Sequence, residues 1–300
     1  FDLFQGRLPG GRVPGARQRG LVEYGTATPL LPALVLRQVE RLGRHCLLFH
    51  ERLRPKGALS ESLVVDGFET FEFSQYTPVH FHTAVGADSH YVYGFTDSEL
   101  RRKGRMTARQ KQRRAQLELR FGRPDPRSIE REMAALLELV TPAGARVEIH
   151  SDEHPAYPRA LARVRERTLT HATTRSTVAR TPHNPLFPVN LLDLLIRHSS
   201  ANHKRETIAF SKRRQSAADR LFVLAVWRNY VKPFSERRRD ATPAQRLGIL
   251  GRKLTVDEVL AERLFPQRVG LPARWEPYYW RLTPTRRISN GRRHTLRYAA

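Results

Sequence analysis

The chain has 300 residues, 40% of them hydrophobic, which is enough for one large domain or two ordinary ones. It is strongly basic, since 53 Lys and Arg stand against 29 Asp and Glu, giving a formal net charge of +24. This balance favours nucleic acid as a partner, because basic proteins release counterions from a polyanion when they bind it. The single cysteine, Cys46, excludes an internal disulfide framework and a cysteine-based zinc finger.

The chain shows no segment that would take it to a membrane. No apolar run approaches the roughly 18 residues of a membrane-spanning helix, and the first residues lack the apolar stretch of a signal peptide. We therefore expect a cytoplasmic, nucleoid-associated protein with no membrane partner and no small-molecule cofactor. The chain begins with Phe, which leaves open a preceding N-terminal DNA-binding region.

The first 57 residues divide into two segments. Residues 1–20 are rich in Gly, Pro and Arg, and this composition predicts a disordered basic arm. In 21–57, apolar residues recur at helical spacing, and we expect Gly43 to divide the stretch into two short helices. The pair is compatible with the end of a helix-turn-helix, and an ordinary packing pair is the alternative.

The segment 58–239 has the element order of an α/β core. Near period-two alternation predicts three strands, at 63–73, 80–87 and 90–95. The basic insertion 99–127 follows, as a mobile loop or as a solvated helix lying on phosphates.

A helix from Ser128, a strand ending near Asp152, a helix and a further strand complete the order of the ribonuclease H-like fold. We expect a mixed five-stranded sheet flanked by helices, with a helical segment before it. A basic extension, 240–300, follows the core, and its aromatic patch at 275–280 is expected to pack against it.

Two aspartates lie on predicted strands. Asp66 interrupts an apolar run, and Asp152 follows another short strand. Burying a carboxylate is costly unless a cation or hydrogen-bond donors meet it, and an ion pair with an arginine is the alternative for each. In the ribonuclease H-like topology the first and fourth strands are adjacent, so Asp66 and Asp152 would be neighbours. The pattern favours a metal-dependent nuclease-type site. His80 and His82 alternate on a strand and are expected to be packing residues.

Three stretches resemble DDE-type transposases of the bacterial insertion-sequence class: VVDGFETF around Asp66, IHSDEHPAYPRAL around Asp152, and NLLDLLIRHSSANHKRETIAFSKR. The resemblance covers about 63–239, and ETIAFSKR is its most distinctive block. It implies three acids that bind two Mg²⁺ ions, with Mn²⁺ as a possible substitute. It also implies cleavage at insertion-sequence ends, strand transfer into target DNA, and a homo-oligomer on double-stranded DNA. Two such ions can stabilise the attacking and leaving oxygens of a phosphoryl displacement.

The resemblance leaves the third acid open. The position at which the family has its Glu falls on Asn190. Asp193 lies about one helical turn later, and Arg197 a further turn along the same face. Glu206 is the alternative third acid, and a simple ion pair with Arg197 is the alternative role for Asp193.

Basic residues near these blocks are predicted to contact the DNA backbone, which would position the protein without specifying sequence. They are Arg101, Arg102, Lys103, Arg105, Arg109, Lys111, Arg113, Arg114, Arg197, Lys204, Arg205, Lys212, Arg213 and Arg214. The rival hypothesis is a catalytically decayed or domesticated DNA-binding protein of the same fold. A nuclease or resolvase without strand transfer is a further alternative.

Overall fold

The computed structural model describes residues 31–204, 209–237 and 239–284. The basic arm expected at 1–20, the candidate acid Glu206 and the predicted DNA contact Arg205 lie outside the described residues.

The described elements follow the predicted α/β order. The strands are β1 (Leu63–Phe71), β2 (Pro78–Gly86), β3 (Val92–Glu99), β4 (Arg146–Ser151) and β5 (Thr168–Thr173). The longer helices are α1 (Leu31–Leu53), α2 (Ala108–Phe121), α3 (Ser128–Val140), α4 (Ala156–Arg163), α5 (Phe187–Ser199) and α6 (Arg214–Val226). A 3₁₀ turn (Ala201–His203) precedes α6 and a π-helical turn (Trp227–Val231) follows it. Four short helices end the described chain: α7 (Pro243–Arg246), α8 (Val256–Ala261), α9 (Pro266–Val269) and α10 (Glu276–Tyr279). None of the described helices is long and apolar enough to span a membrane.

The five strands form one mixed sheet in the order β3-β2-β1-β4-β5. The β1–β2 and β2–β3 pairs are antiparallel, and the β1–β4 and β4–β5 pairs are parallel. This is the ribonuclease H-like arrangement that the element order predicts. Two chain segments far apart in sequence, β1 and β4, are therefore neighbours at the centre of the sheet.

Helices cover both faces of the sheet. Thr96 donates a 2.7 Å hydrogen bond to a main-chain carbonyl of α3, whereas α5 places an arginine over the ring of Phe68. Across the sheet Thr96 is paired with His82, and Phe68 with Phe81. Because consecutive strand residues point to opposite faces, α3 and α5 lie on opposite sides.

Gly43 does not divide the first helix, contrary to the sequence expectation. It lies within the continuous helix α1, which packs along α6. A Cβ at Gly43 would come within 2.6 Å of the Asp219 Cβ on α6. The glycine therefore permits a close approach of two helices, and this benefit outweighs its low helix propensity.

The end of the described chain packs into the same core as the sheet. Trp275 and Tyr278 are fully buried against Phe95 and Phe222, and the Trp275 indole donates a 3.0 Å hydrogen bond to the Phe95 carbonyl. The aromatic patch packs against the core, as the sequence predicts.

Candidate functional site

The pairing of β1 with β4 brings Asp66 and Asp152 together. The parallel register pairs Leu63 with Ile149 and Val64 with His150. Continued by two residues, this register aligns Asp66 with Asp152, at the carboxyl ends of the paired segments. Both side chains are half-buried. Two carboxylates thus lie side by side on neighbouring strands, where β4 ends, although 86 positions separate them in sequence.

Local hydrogen bonds orient each carboxylate. Asp66 Oδ1 accepts from the Gly67 main-chain N–H at 2.7 Å and from the Tyr157 hydroxyl at 3.2 Å. Asp152 Oδ1 accepts from the His154 N–H at 2.9 Å, the local bond by which an aspartate closes a turn. This turn leads into α4, whose second residue is Tyr157. Asp152 therefore shapes the turn that delivers the tyrosine to Asp66.

The two aspartates are electrostatically coupled. Burial, with a smaller contribution from the charge of Asp152, raises the pKa of Asp66 from its ordinary value of 3.8 to about 6. The hydrogen bonds from Gly67 and Tyr157 and the charge of Arg180 oppose this shift. At neutral pH the site therefore holds a charged, partly desolvated carboxylate beside a second one.

The charges of all three predicted aspartates act on the hydroxyl of Tyr157. The tyrosine is buried, and burial followed by the charges of Asp66, Asp152 and Asp193 holds its pKa well above 10. The phenol therefore stays protonated and acts as a donor to Asp66 at every pH at which the protein works.

Asp193 reaches this region from α5. It is half-buried, and its charge acts on the same phenol as those of the two strand-borne aspartates. Arg197, one helical turn further, has its guanidinium carbon 5.9 Å from the ring centroid of Phe68, which is two residues beyond Asp66 on β1. The helix face that carries Asp193 and Arg197 is therefore turned toward the carboxylates.

The donor set suits a hard divalent cation. Mg²⁺ takes oxygen ligands and is commonly bound through one or two carboxylates, with waters and substrate phosphates completing its shell. Asp66 and Asp152 supply such oxygens, and a cation would relieve their mutual repulsion. Within the described ranges no group of three or more His, Cys, Asp or Glu side chains could hold a metal ion. The pair fits Mg²⁺, and a triad is not assembled there.

Part of the basic insertion serves structure. Arg101 binds Glu118 through two hydrogen bonds of 2.8 and 3.0 Å, and Arg114 lies 3.4 Å from the same carboxylate. Arg102 lies over the ring of Tyr76, 4.9 Å from its centroid. Arg101 and Arg114 therefore brace the insertion internally, and Arg102 joins it to the turn between β1 and β2.

The rest of the insertion faces solvent. Helix α2 buries none of its residues and begins with a capping box between Thr107 and Gln110. Of the two predicted alternatives, a mobile loop and a solvated helix, the structure shows the helix. Its exposed cations, with those of the preceding turn, are Lys103, Arg105, Arg109, Lys111, Arg113 and Arg120.

The predicted DNA contacts between α5 and the start of α6 are divided between the surface and the core. Lys204, Lys212 and Arg213 are exposed. Arg214 is buried, with ion pairs of 3.1 Å to Asp97 and 3.2 Å to Glu99. The prediction of a DNA contact for Arg214 is therefore corrected, because these carboxylates occupy its guanidinium inside the fold.

The two histidines on β2 act in packing. Their ring centroids are 4.6 Å apart, and His82 Nε2 lies 3.0 Å from Ser98 Oγ. Burial lowers the pKa of His80 to about 4, so its ring is neutral at pH 7. A Cβ on Gly67 would collide with the His80 ring. The glycine beside Asp66 is thus required by this close contact.

Sequence reasoning did not find two features of the site. Tyr157 belongs to the Ser-Asp-x-x-x-x-Tyr spacing, but the spacing does not disclose its bond to Asp66. Arg180 lies in a proline-interrupted linker with no periodicity, and only the folded chain brings its charge to bear on Asp66.

No protein-family model matches the sequence, and no curated protein matches it significantly. A chain of the simian T-cell lymphotropic virus intasome in complex with PP2A regulatory subunit B56 gamma is similar over 71% of this chain, at 14% identity and a TM-score of 0.30. This chain covers 64% of that one. The HTLV-2 integrase catalytic core domain in complex with magnesium, in its trimeric form, is similar over 64% of this chain and 98% of that chain, at 13% identity and a TM-score of 0.28. At these values the functional assignment depends on the residues of this chain.

Replacing Asp66 by Asn should stabilise the metal-free protein at pH 7.5. The pKa of Asp66 is raised in the folded state, so its contribution to stability is present below pH 3.8 and is lost as the pH rises through about 6. The substitution removes a cost of at most about 3 kcal/mol, and we expect Tm to rise by roughly 2–6 °C.

Added Mg²⁺ should raise the Tm of the wild type and leave that of Asp66→Asn nearly unchanged, since only the wild type offers both carboxylates. Differential scanning calorimetry measures both effects, and Asp88→Asn, an exposed carboxylate distant in sequence from the site, is the control. A lower Tm for Asp66→Asn in metal-free buffer, or an equal response of both proteins to Mg²⁺, would contradict this assignment.

Proposed function

We propose that the chain is a DDE-type transposase that cleaves DNA at the ends of an insertion sequence and transfers the strand into target DNA. Asp66 and Asp152 are its catalytic and metal-binding carboxylates, and Asp193 or Glu206 is the third acid. The observation that carries the proposal is the pair of coupled aspartates on two adjacent parallel strands, Asp66 within β1 and Asp152 directly after β4, with Tyr157 hydrogen-bonded to Asp66.

Each group in the site has a distinct task. Bound Mg²⁺ supplies charge stabilisation and a lowered pKa for the attacking hydroxyl. Asp66 and Asp152 would hold that cation, and in the metal-free protein Asp66 is half ionised at about pH 6 and mostly charged at pH 7 and above. Tyr157 fixes the orientation of one Asp66 oxygen by its hydrogen bond. No covalent protein nucleophile is needed, because water or a 3′-hydroxyl attacks the phosphorus.

In this proposal the DNA-binding surface consists of the exposed cations of α2 together with Lys204, Lys212 and Arg213. A helix with no buried residue gains little stability from packing. Its several exposed cations are instead available to neutralise DNA phosphates. Joining two DNA ends further requires a homo-oligomer on the DNA.

A catalytically decayed or domesticated DNA-binding protein is the second candidate. It is favoured by one observation: the described residues hold no three-membered ligand group. This candidate keeps the fold and the basic surface but binds DNA without cutting it.

Cleavage and joining of labelled duplexes, taken from the two flanks of the gene, test the proposal in Mg²⁺ or Mn²⁺. We expect Asp66→Asn and Asp152→Asn each to reduce the rate by at least about 100-fold, since each removes a ligand of the charge-stabilising cation. One of Asp193→Asn and Glu206→Gln should do the same and so identify the third acid. Glu153→Gln, the exposed neighbour of Asp152, is the control. A wild type that binds DNA but neither cuts nor joins it would instead support the second candidate.

DNA affinity should depend on salt through the exposed cations of α2. Combined alanine substitution of Arg109, Lys111 and Arg113 should weaken binding and lower the slope of log K against log salt by about 0.9 for each phosphate that is no longer neutralised. Fluorescence anisotropy over a salt series measures the slope. The control substitutes three exposed cations near the end of the described chain, Lys253, Arg263 and Arg268. Equal slopes for both triple variants would remove α2 from the DNA-binding surface.

A further inference from the structure

The loop 174–186 connects β5 to α5 and begins beside the candidate site. It begins beside β4, where Ser151 is paired with Thr173 and the Thr174 N–H donates to the Ser151 carbonyl at 2.9 Å. It ends at α5, which packs against β1 on the face that carries Phe68 and Asp66. Since Asp152 directly follows Ser151, the loop starts next to Asp152, and its Ser176 N–H donates to the carboxylate of the neighbouring Glu153 at 3.4 Å.

The loop has a defined conformation, held from within by Asn184. This side chain is 6% exposed, and its amide donates to the carbonyls of Ala179 and Val178 at 3.0 and 3.4 Å. Its Oδ1 accepts from the Leu186 N–H at 2.8 Å, just before α5 begins. Asn184 thus ties the centre of the loop to the start of the helix, and Arg180 lies between these anchor points.

Arg180 is exposed, and its charge acts on Asp66, where it lowers the carboxyl pKa. Among the hydrogen bonds and ion pairs formed within the described ranges, none engages its guanidinium. A guanidinium is always charged and presents a planar fork of donors that matches two phosphate oxygens. Arg180 is therefore a cation near the candidate site, and within the described ranges it forms no ion pair that holds the fold.

We propose that Arg180 is a catalytic residue that binds the non-bridging oxygens of the phosphodiester cleaved at the Asp66–Asp152 centre, with Asn184 as the residue that positions its loop. The inference rests on the proposed function. A phosphodiester approaching two carboxylates meets their repulsion, and a nearby guanidinium offsets it. The charge that builds on these oxygens during displacement strengthens the contact in the transition state.

The test is single-turnover cleavage of the labelled duplex by the full chain, with DNA affinity measured in parallel. Arg180→Ala should lower the cleavage rate by about 10- to 100-fold, with little change in affinity, because most phosphate contacts lie elsewhere. Arg180→Lys should recover part of the rate, since it keeps the charge but loses the fork. Arg175→Ala, an exposed arginine of the same loop, is the control and should cleave at the wild-type rate.

A second substrate separates phosphate binding from support of the loop. A methylphosphonate at the mapped cleavage site replaces one charged oxygen by a methyl group and removes the partner of the guanidinium. On this substrate the wild type and Arg180→Ala should cleave at rates within about threefold of each other.

An undiminished rate for Arg180→Ala on the natural duplex would overturn the inference and leave the proposed function intact. So would an equal loss on both substrates, which indicates a structural role. A wild type that cleaves neither substrate would overturn the proposed function and the inference together.

Discussion

The parallel pairing of β1 with β4 is the constraint on which the site depends. It fixes the register in which Asp66 aligns with Asp152, and no local sequence feature could bring these residues together. A shift of one residue would turn either side chain to the other face of the sheet. Helices on both faces bury the two strands and so hold the register.

The electrostatic interactions of Asp66 in the folded chain are unfavourable overall. Asp66 is charged and partly desolvated beside a like charge, and its N–H and O–H donors offset only part of that cost. Natural proteins accept such local losses at functional sites, where the missing partner is a ligand. On this account the cation and the phosphodiester complete an arrangement that the folded chain leaves unbalanced.

Sequence reasoning reaches the sheet because strand alternation and element order are local signals. The same order predicts that Asp66 and Asp152 are neighbours. It fails at Gly43, where a helix–helix approach overrides propensity, and at Arg214, whose buried partners come from a distant strand. Sequence reasoning also misses Arg180, because the position of a loop without periodicity cannot be predicted from its residues alone.

The pKa of the Asp66 carboxyl shows whether Asp66 and Asp152 form a coupled pair. We would measure it by NMR titration of ¹³C-labelled aspartate in the metal-free wild type and in Asp152→Asn. We expect an apparent pKa of about 6 in the wild type, and a lower value in the variant because the neighbouring charge is gone. An ordinary value near 3.8 in the wild type, or no change on removal of Asp152, would show that the carboxylates are not a coupled pair.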